Sequence, residues 1–253
     1  MTDNGVTTKT AIAVLTDCRV VLAEHAEIMK QVVVASSRQN EPPAIMFQRA
    51  FDFGLQTIDA IIRLLSDGED FALHACTLCR PFYETAVRLL WASRTPDGWQ
   101  RLQAYFANED RKWADEAKRI PSTAEVAAST REHRQGILDR TDETGERFAP
   151  APGMQQLLRD VVKHDMIEGI REESDRAADF DYTNVYRFLC KAAHGHMISL
   201  GRPAGFLRHA KYGTIMAAWS LLQAHCHIGA KDCKKEIDVI GKTLMKIIEE
   251  HRG

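Results

Sequence analysis

Residues 70–93 read DFALHACTLCRPFYETAVRLLWAS, and this stretch decides the fold. Phe71, Ala75, Leu78, Phe82, Thr85, Leu89 and Ala92 recur at helical spacing along one largely apolar row. Cys76, Cys79, Tyr83, Val87, Leu90 and Trp91 cover much of the remaining circumference. A helix that is apolar on most sides belongs inside a core. The stretch therefore predicts an all-α, multi-helix bundle around a buried central helix at about 70–93.

The flanks agree. Upstream, Leu15, Cys18, Leu22, His25, Met29 and Val32 keep the spacing of an N-terminal amphipathic helix within residues 1–40. Pro42 and Pro43 are expected to end it, because proline lacks an N–H and disfavours α geometry in the residue before it. A second helix carries Phe47, Phe51, Leu55, Ile58, Ile62 and Leu65 on one stripe and stops at Ser66-Asp67-Gly68. Downstream, Thr95-Pro96-Asp97-Gly98 is a turn, and Trp99 to about Arg140 reads as long helices with one solvated face. Residues 142–153, with Pro150 and Pro152, read as a mobile loop. A short polar helix follows from Gln155, and a buried one begins near Asp181. Further helices are expected over 212–228 and 230–251. The chain shows no internal repeat and no alternating strand pattern, so one helical domain over 1–253 is expected.

Composition narrows the class. In 253 residues, 45% are hydrophobic and the formal net charge is -2, enough apolar material for a large core and no bulk electrostatic pull toward nucleic acid or membrane. MTDNGVTTKT opens the chain without a basic and then apolar leader, and no run approaches the ~18 apolar residues of a membrane span. Six cysteines outside any Cys-rich loop suit reduced thiols. The expectation is a cytoplasmic protein with no membrane partner.

Two constellations carry chemistry. On the central helix, Arg80, Glu84 and Arg88 at i, i+4 and i+8 form one polar row, which burial tolerates only if the charges are paired. Pro81 beside the row predicts a kink that opens space. In the later helix, Arg187, Lys191 and His194 fall at i, i+4 and i+7, while His196 turns toward the Val185 and Leu189 face. A histidine can move protons near neutral pH, and arginine and lysine can stabilise a developing phosphate charge. The plain alternative is a structural network, with His194 hydrogen-bonded to a carboxylate such as Glu84.

His74, Cys76 and Cys79 do not complete a four-ligand zinc set, because His74 lies off the face of the two thiols. No Gly-rich phosphate loop occurs either. No metal and no cofactor are expected. Arg202, Arg208, His209 and Lys211 form a basic cluster able to track a nucleic-acid backbone.

The spacing Arg187-x6-His194 resembles the Arg-x4-6-His motif of the HEPN superfamily, small all-helical proteins many of which are dimeric RNases of toxin–antitoxin and phage-defence systems. That resemblance implies Arg187 and His194 as the catalytic pair, RNA as substrate and a homodimer with a composite site. A second resemblance covers about residues 45–200. Leu78-Cys79-Arg80-Pro81-Phe82-Tyr83-Glu84, followed by Arg88 and Trp91 and later by Tyr186 and His194, looks like bacterial all-helical domains of unknown function with an Arg-x3-Glu central helix and a Tyr…His helix. It implies the fold and the pairing of the two helices, and supplies no reaction. Two readings follow. One is a HEPN-like, metal-independent RNase acting in stress or phage defence. The other is a non-catalytic ligand- or protein-binding bundle with a structural Arg-Glu-Arg network, its protein partner unknown. Arg80, Glu84, Arg88, Tyr186, Lys191 and His196 are the candidate binding residues.

Overall fold

A computed structural model describes residues 7–35, 42–141, 144–164, 181–194 and 203–227, with positions 235, 238, 239 and 242. Among them the chain forms eight α-helices and no strand beyond an isolated bridge between Thr141 and Arg147. The helices are α1 (Thr8–Ala35), α2 (Pro42–Asp67), α3 (Ala72–Arg94), α4 (Gly98–Ala117), α5 (Ala124–Leu138), α6 (Met154–His164), α7 (Arg187–Ala193) and α8 (Pro203–His227). None of them is long and apolar enough to cross a membrane. The chain divides into two compact units, residues 1–91 with 154–253, and residues 92–153.

The larger unit is the all-α bundle that the central stretch predicts. The α1 row of Leu15, Cys18, Leu22, His25 and Met29 is fully inside. α1 lies along α2 and against α8. At that junction the buried rings of His25 and His225 meet edge-on at 5.3 Å, and Phe51 packs 5.5 Å from His225. The His25 Nδ1–H donates to the Val21 carbonyl at 3.0 Å, so this polar ring enters the core with a bond satisfied along its own helix.

Three details depart from the sequence reading. Pro42 and Pro43 open α2, where a missing N–H costs no helical bond, so they act as a start signal. On α2 the inward arc is Phe47, Phe51, Ile58, Ile61 and Leu65, with Gly54 and Thr57 among them, while Leu55 and Ile62 sit at its edge. Phe71, in the turn just before α3, and Leu78 on α3 are exposed, and the buried arc runs through Ala75, Cys76, Cys79, Phe82 and Tyr83. From Ala86 to Ala92 almost the whole circumference is buried. The helix runs unbroken through Pro81, which lies on its exposed side.

α3 is central because its neighbours offer small residues to it. A Cβ on Gly54 of α2 would lie 2.7 Å from the Phe82 ring, and one on Gly213 of α8 would lie 2.7 Å from Cys79 Sγ and 3.2 Å from Leu189. Both glycines therefore mark close approach, which a methyl group would block. Beside Gly213, Thr214 donates its hydroxyl to the Ala210 carbonyl at 2.7 Å and lies 3.5 Å from Cys79 Sγ. At the other end, Trp91 Nε1–H donates to Asp160 of α6 at 3.2 Å. α6 is more amphipathic than its polar sequence suggests, burying Met154, Leu157, Leu158 and Val161.

Residues 92–153 form a helical hairpin with an alanine seam. Ala114, Ala117 and Ala127 are its buried cluster, and Arg134–Asp110 at 2.8 Å and Arg131–Asp115 at 3.2 Å bridge α4 and α5. Such exposed pairs contribute at most ~1 kcal/mol each, so the close alanine contact carries the hairpin. Residues 144–153 form no helix. Within this unit the Ala151 N–H donates to the Arg101 carbonyl at 3.0 Å.

Gly213→Val should overpack the α8–α3–α7 junction and lower stability by about 1–3 kcal/mol. The measure is the urea midpoint at constant m-value. An unchanged midpoint would mean that Cys79 and Leu189 yield freely.

Candidate functional site

The site forms where α7 ends against the middle of α3. Asp181–Tyr186 is a π-helical turn that runs into α7, and such turns recur at functional sites. Val185, Leu189 and Ala192 bury one side of this segment, as the sequence predicts. Arg187, Lys191 and His194 are exposed on another. The helix stops at His194, whose N–H still bonds the Cys190 carbonyl at 3.0 Å while its φ of -93° and ψ of 8° leave the α region.

Arg80 joins the two helices. Its Nε donates to Glu84 Oε1 at 2.8 Å, the i, i+4 pair read from the sequence. Its Nη1 lies 3.1 Å from His194 Nε2. A guanidinium has donors and no acceptor, so Nε2 must accept and the ring proton must sit on Nδ1. The Arg80 and Glu84 side chains are each 25% exposed. Burial works against the Arg80 charge. The hydrogen bond and charge of Glu84, helped by Cys190 and Tyr186, outweigh it and raise the pKa.

Tyr186 completes the cluster. Burial first, then a hydrogen bond to Cys190 and the charge of Glu84, push its hydroxyl well above the usual phenol range, although Arg80 pulls the other way. It is therefore a neutral donor at physiological pH and no phenolate base. Its ring stacks on Tyr182, with centroids 5.6 Å apart and planes 27° apart.

The structure thus brings together Arg80, Glu84, Tyr186 and His194. Arg187 and Lys191 sit on the exposed side of α7, and Arg88 lies buried one turn further along α3. His196 lies outside the described residues. Glu84 reaches His194 through Arg80. The sequence reading missed Cys190 as a member of the site. The signal was present, since Cys190 stands four residues from both Tyr186 and His194.

The basic cluster does not form one surface. Arg208 is exposed, His209 is tucked in and Lys211 is fully buried, because all three lie on α8 with different faces; Arg202 lies outside the described residues. The Cys76 and Cys79 thiols are core groups, and burial pushes Cys79 up to about 12 and Cys76 up as well. His74 is exposed beside Phe71, with ring centroids 6.1 Å apart. Among the described residues no group of three or more His, Cys, Asp or Glu is placed to hold a metal ion.

α8 holds α7 in place through His209. Its ring lies flat on Phe188, with centroids 3.5 Å and planes 10° apart, and its Nδ1–H donates to the Gly205 carbonyl at 2.7 Å. Burial lowers the His209 pKa. The Gly205 and Asn184 carbonyls oppose that shift, and Arg208 reinforces it.

Residues 44–206 match a family of unknown function, DUF5677. No curated protein and no solved structure matches the chain.

The depressed His209 pKa fixes a sign. As pH falls through the ordinary imidazole value of about 6.5, the unfolded chain takes up a proton at this position before the folded one does. Stability is therefore full above that value and declines below it, toward the lower folded pKa. Urea midpoints at pH 7.5 and 5.5 should fall with acidification, and His209→Gln should reduce the fall. An equal fall in both proteins would remove His209 as its source.

Proposed function

The chain belongs to this family of unknown function, DUF5677, and we propose that it is a HEPN-like, metal-independent RNase of stress or phage defence, with His194 as its proton-transfer group. One observation carries the reading: an exposed imidazole whose Nε2 is held by a guanidinium, on the same side of α7 as Arg187 and Lys191. The resemblance of Arg187-x6-His194 to the HEPN motif supports it.

The chemistry follows from the groups. An RNA phosphate draws the Arg80 Nη1 away from Nε2 and onto its own oxygens, where a guanidinium binds well. The freed Nε2 lone pair takes the proton of the neighbouring 2′-hydroxyl. The 2′-oxygen bonds to phosphorus and the bond from phosphorus to the 5′-oxygen breaks. The leaving oxygen takes a proton from water, giving a 2′,3′-cyclic phosphate and a 5′-hydroxyl end. Arg187 and Lys191 offset the charge that builds on the phosphate. Glu84 keeps Arg80 oriented throughout. A homodimer with paired sites follows from the same resemblance.

The second reading is a non-catalytic ligand- or protein-binding bundle. It is favoured by the pairing of Arg80 with Glu84 at 2.8 Å, an ionic contact within α3 that holds the guanidinium where its Nη1 meets His194 at the end of α7.

Wild type, His194→Ala and Arg187→Ala are to be compared for growth arrest on expression and for cleavage of RNA by the purified proteins. The RNase reading expects cyclic-phosphate ends from wild type and a loss of about 10²–10⁴-fold in His194→Ala, with the thermal midpoint unchanged. Equal behaviour of all three folded proteins would leave the binding-bundle reading.

A further inference from the structure

The hairpin of residues 92–153 keeps its small apolar side chains inside and its large ones outside. Among its described residues, the apolar side chains it buries are alanines apart from Leu102. Phe106, Trp113, Ile120 and Val126 lie outside, from 40% exposed at Phe106 to 59% at Val126. Alanine contacts remove little apolar area from water. Helices of this length owe most of their stability to packing of an apolar face, and here that face is uncovered.

The exposed residues keep a register. Phe106, Trp113 and Ile120 are seven apart, two helical turns, which holds Phe106 and Trp113 on one stripe of α4. Ile120 continues the register in the turn that follows, where its N–H bonds the Ala117 carbonyl at 3.0 Å. Such a repeat is the seam along which one helix packs on another.

Charge decides what covers the seam. Glu109 and Lys112 stand between the two rings along the helix and pair with each other at 2.7 Å. Glu116 follows one turn on and is exposed. The flank of the row therefore alternates in sign and has no excess that would select an acidic or a basic partner. An evenly spaced row also reads the same in both directions. A second α4 thus fits it antiparallel, across a two-fold axis at residues 109 and 110. Phe106 of one copy then lies opposite Trp113 of the other. With a rise of 1.5 Å per residue, Lys112 of one copy stands about 3 Å along the helix from Glu109 of the other, within ion-pair reach.

We propose that this face is a homotypic docking surface: α4 pairs antiparallel with α4 of a second copy through Phe106 and Trp113, and Lys112 of each copy meets Glu109 of the other. The surface shares no residue with the Arg80 and His194 cluster. It stands or falls apart from the RNase reading and from the paired sites which that reading implies.

Sedimentation equilibrium of the full chain over a concentration series reads the dimer, with circular dichroism and thermal midpoints alongside. Wild type should be a dimer, and Trp113→Glu a monomer that keeps its helix content. Glu109→Lys and Lys112→Glu each set like charges against each other across the axis. Each alone should raise the dimer dissociation constant roughly tenfold. Mixed in equal amounts, these two proteins should form a heterodimer of wild-type strength. In the mixture both contacts across the axis join opposite charges, whereas the pair within each α4 stays broken. Only pairing between copies predicts that recovery.

A monomeric wild type would overturn the proposal and leave the face to a different partner. A dimer that Trp113→Glu leaves intact would overturn it too, by placing the interface elsewhere. Loss of the dimer in Trp113→Glu without recovery in the mixture would overturn the antiparallel pairing. If Trp113→Glu fails to fold, the two charge variants and their mixture still decide, because both substitutions fall on exposed side chains.

Discussion

α3 has to be enclosed on several sides while carrying three charges, and the larger unit is arranged around that constraint. Gly54 and Gly213 let α2 and α8 approach its apolar arc, at Phe82 and at Cys79. From Ala86 onward the helix is buried almost all round, and this burial supplies most of what holds it. That environment splits the polar row: Arg88 lies inside it, where an unpaired charge would cost several kcal/mol. Arg80 and Glu84 lie where the enclosure is incomplete, each a quarter exposed, and they face each other and the end of α7. The ion pair adds little stability at that exposure. Its consequence is geometric, because it fixes which way the guanidinium points.

Arg80 and His194 are separated by 114 residues in sequence, so their contact depends on helix packing and on no local motif. Two further contacts set it. Leu189 seats α7 against Gly213 and Cys79, and Phe188 lies flat on His209 of α8. Between them the short helix is gripped on adjacent sides, and its last residue is delivered to Arg80. A seven-residue helix has little stability of its own. Its position is therefore a property of the packed unit, and damage to the α8 seam would reach the site without touching a site residue.

Much of this was legible in the sequence, and the failures have physical causes. Helical spacing identified α3, the α1 row and the Val185, Leu189 and Ala192 face, because these rows repeat over several turns. Spacing fixes which residues share an arc, but not which arc meets a neighbour. Leu55, Ile62, Phe71 and Leu78 were therefore counted as inward, while Gly54, which carries no side chain to read, marks the real contact line. The prolines at 42 and 43 carry the same local information as a stop or a start, and only the next helix decides between them. In the site, Arg80, Glu84, Tyr186 and His194 were readable as polar exceptions on apolar helices. Cys190, although spaced four residues from Tyr186 and from His194, was passed over because a cysteine in a helix usually reads as a small core residue. Lys211, read as part of a basic surface, is buried because α8 turns it inward.

The Arg80–His194 contact also constrains how the proposed reaction can begin. Nε2 accepts from Nη1, so the nitrogen that would take the 2′-hydroxyl proton is covered while no phosphate is present. A proton on Nε2 would set two donors against each other, so protonation and anion binding both separate the pair, with opposite consequences for a base. Only the anion leaves the lone pair available. On the proposed reading the base is thus uncovered by the group it acts upon, and Glu84 supplies the restoring pull through Arg80 Nε. The same argument limits Tyr186. Burial first, with Cys190 and the charge of Glu84 adding to it, raises the pKa of its hydroxyl and keeps the proton in place. The tyrosine stacks on Tyr182, and on the proposed reading proton transfer falls to the histidine.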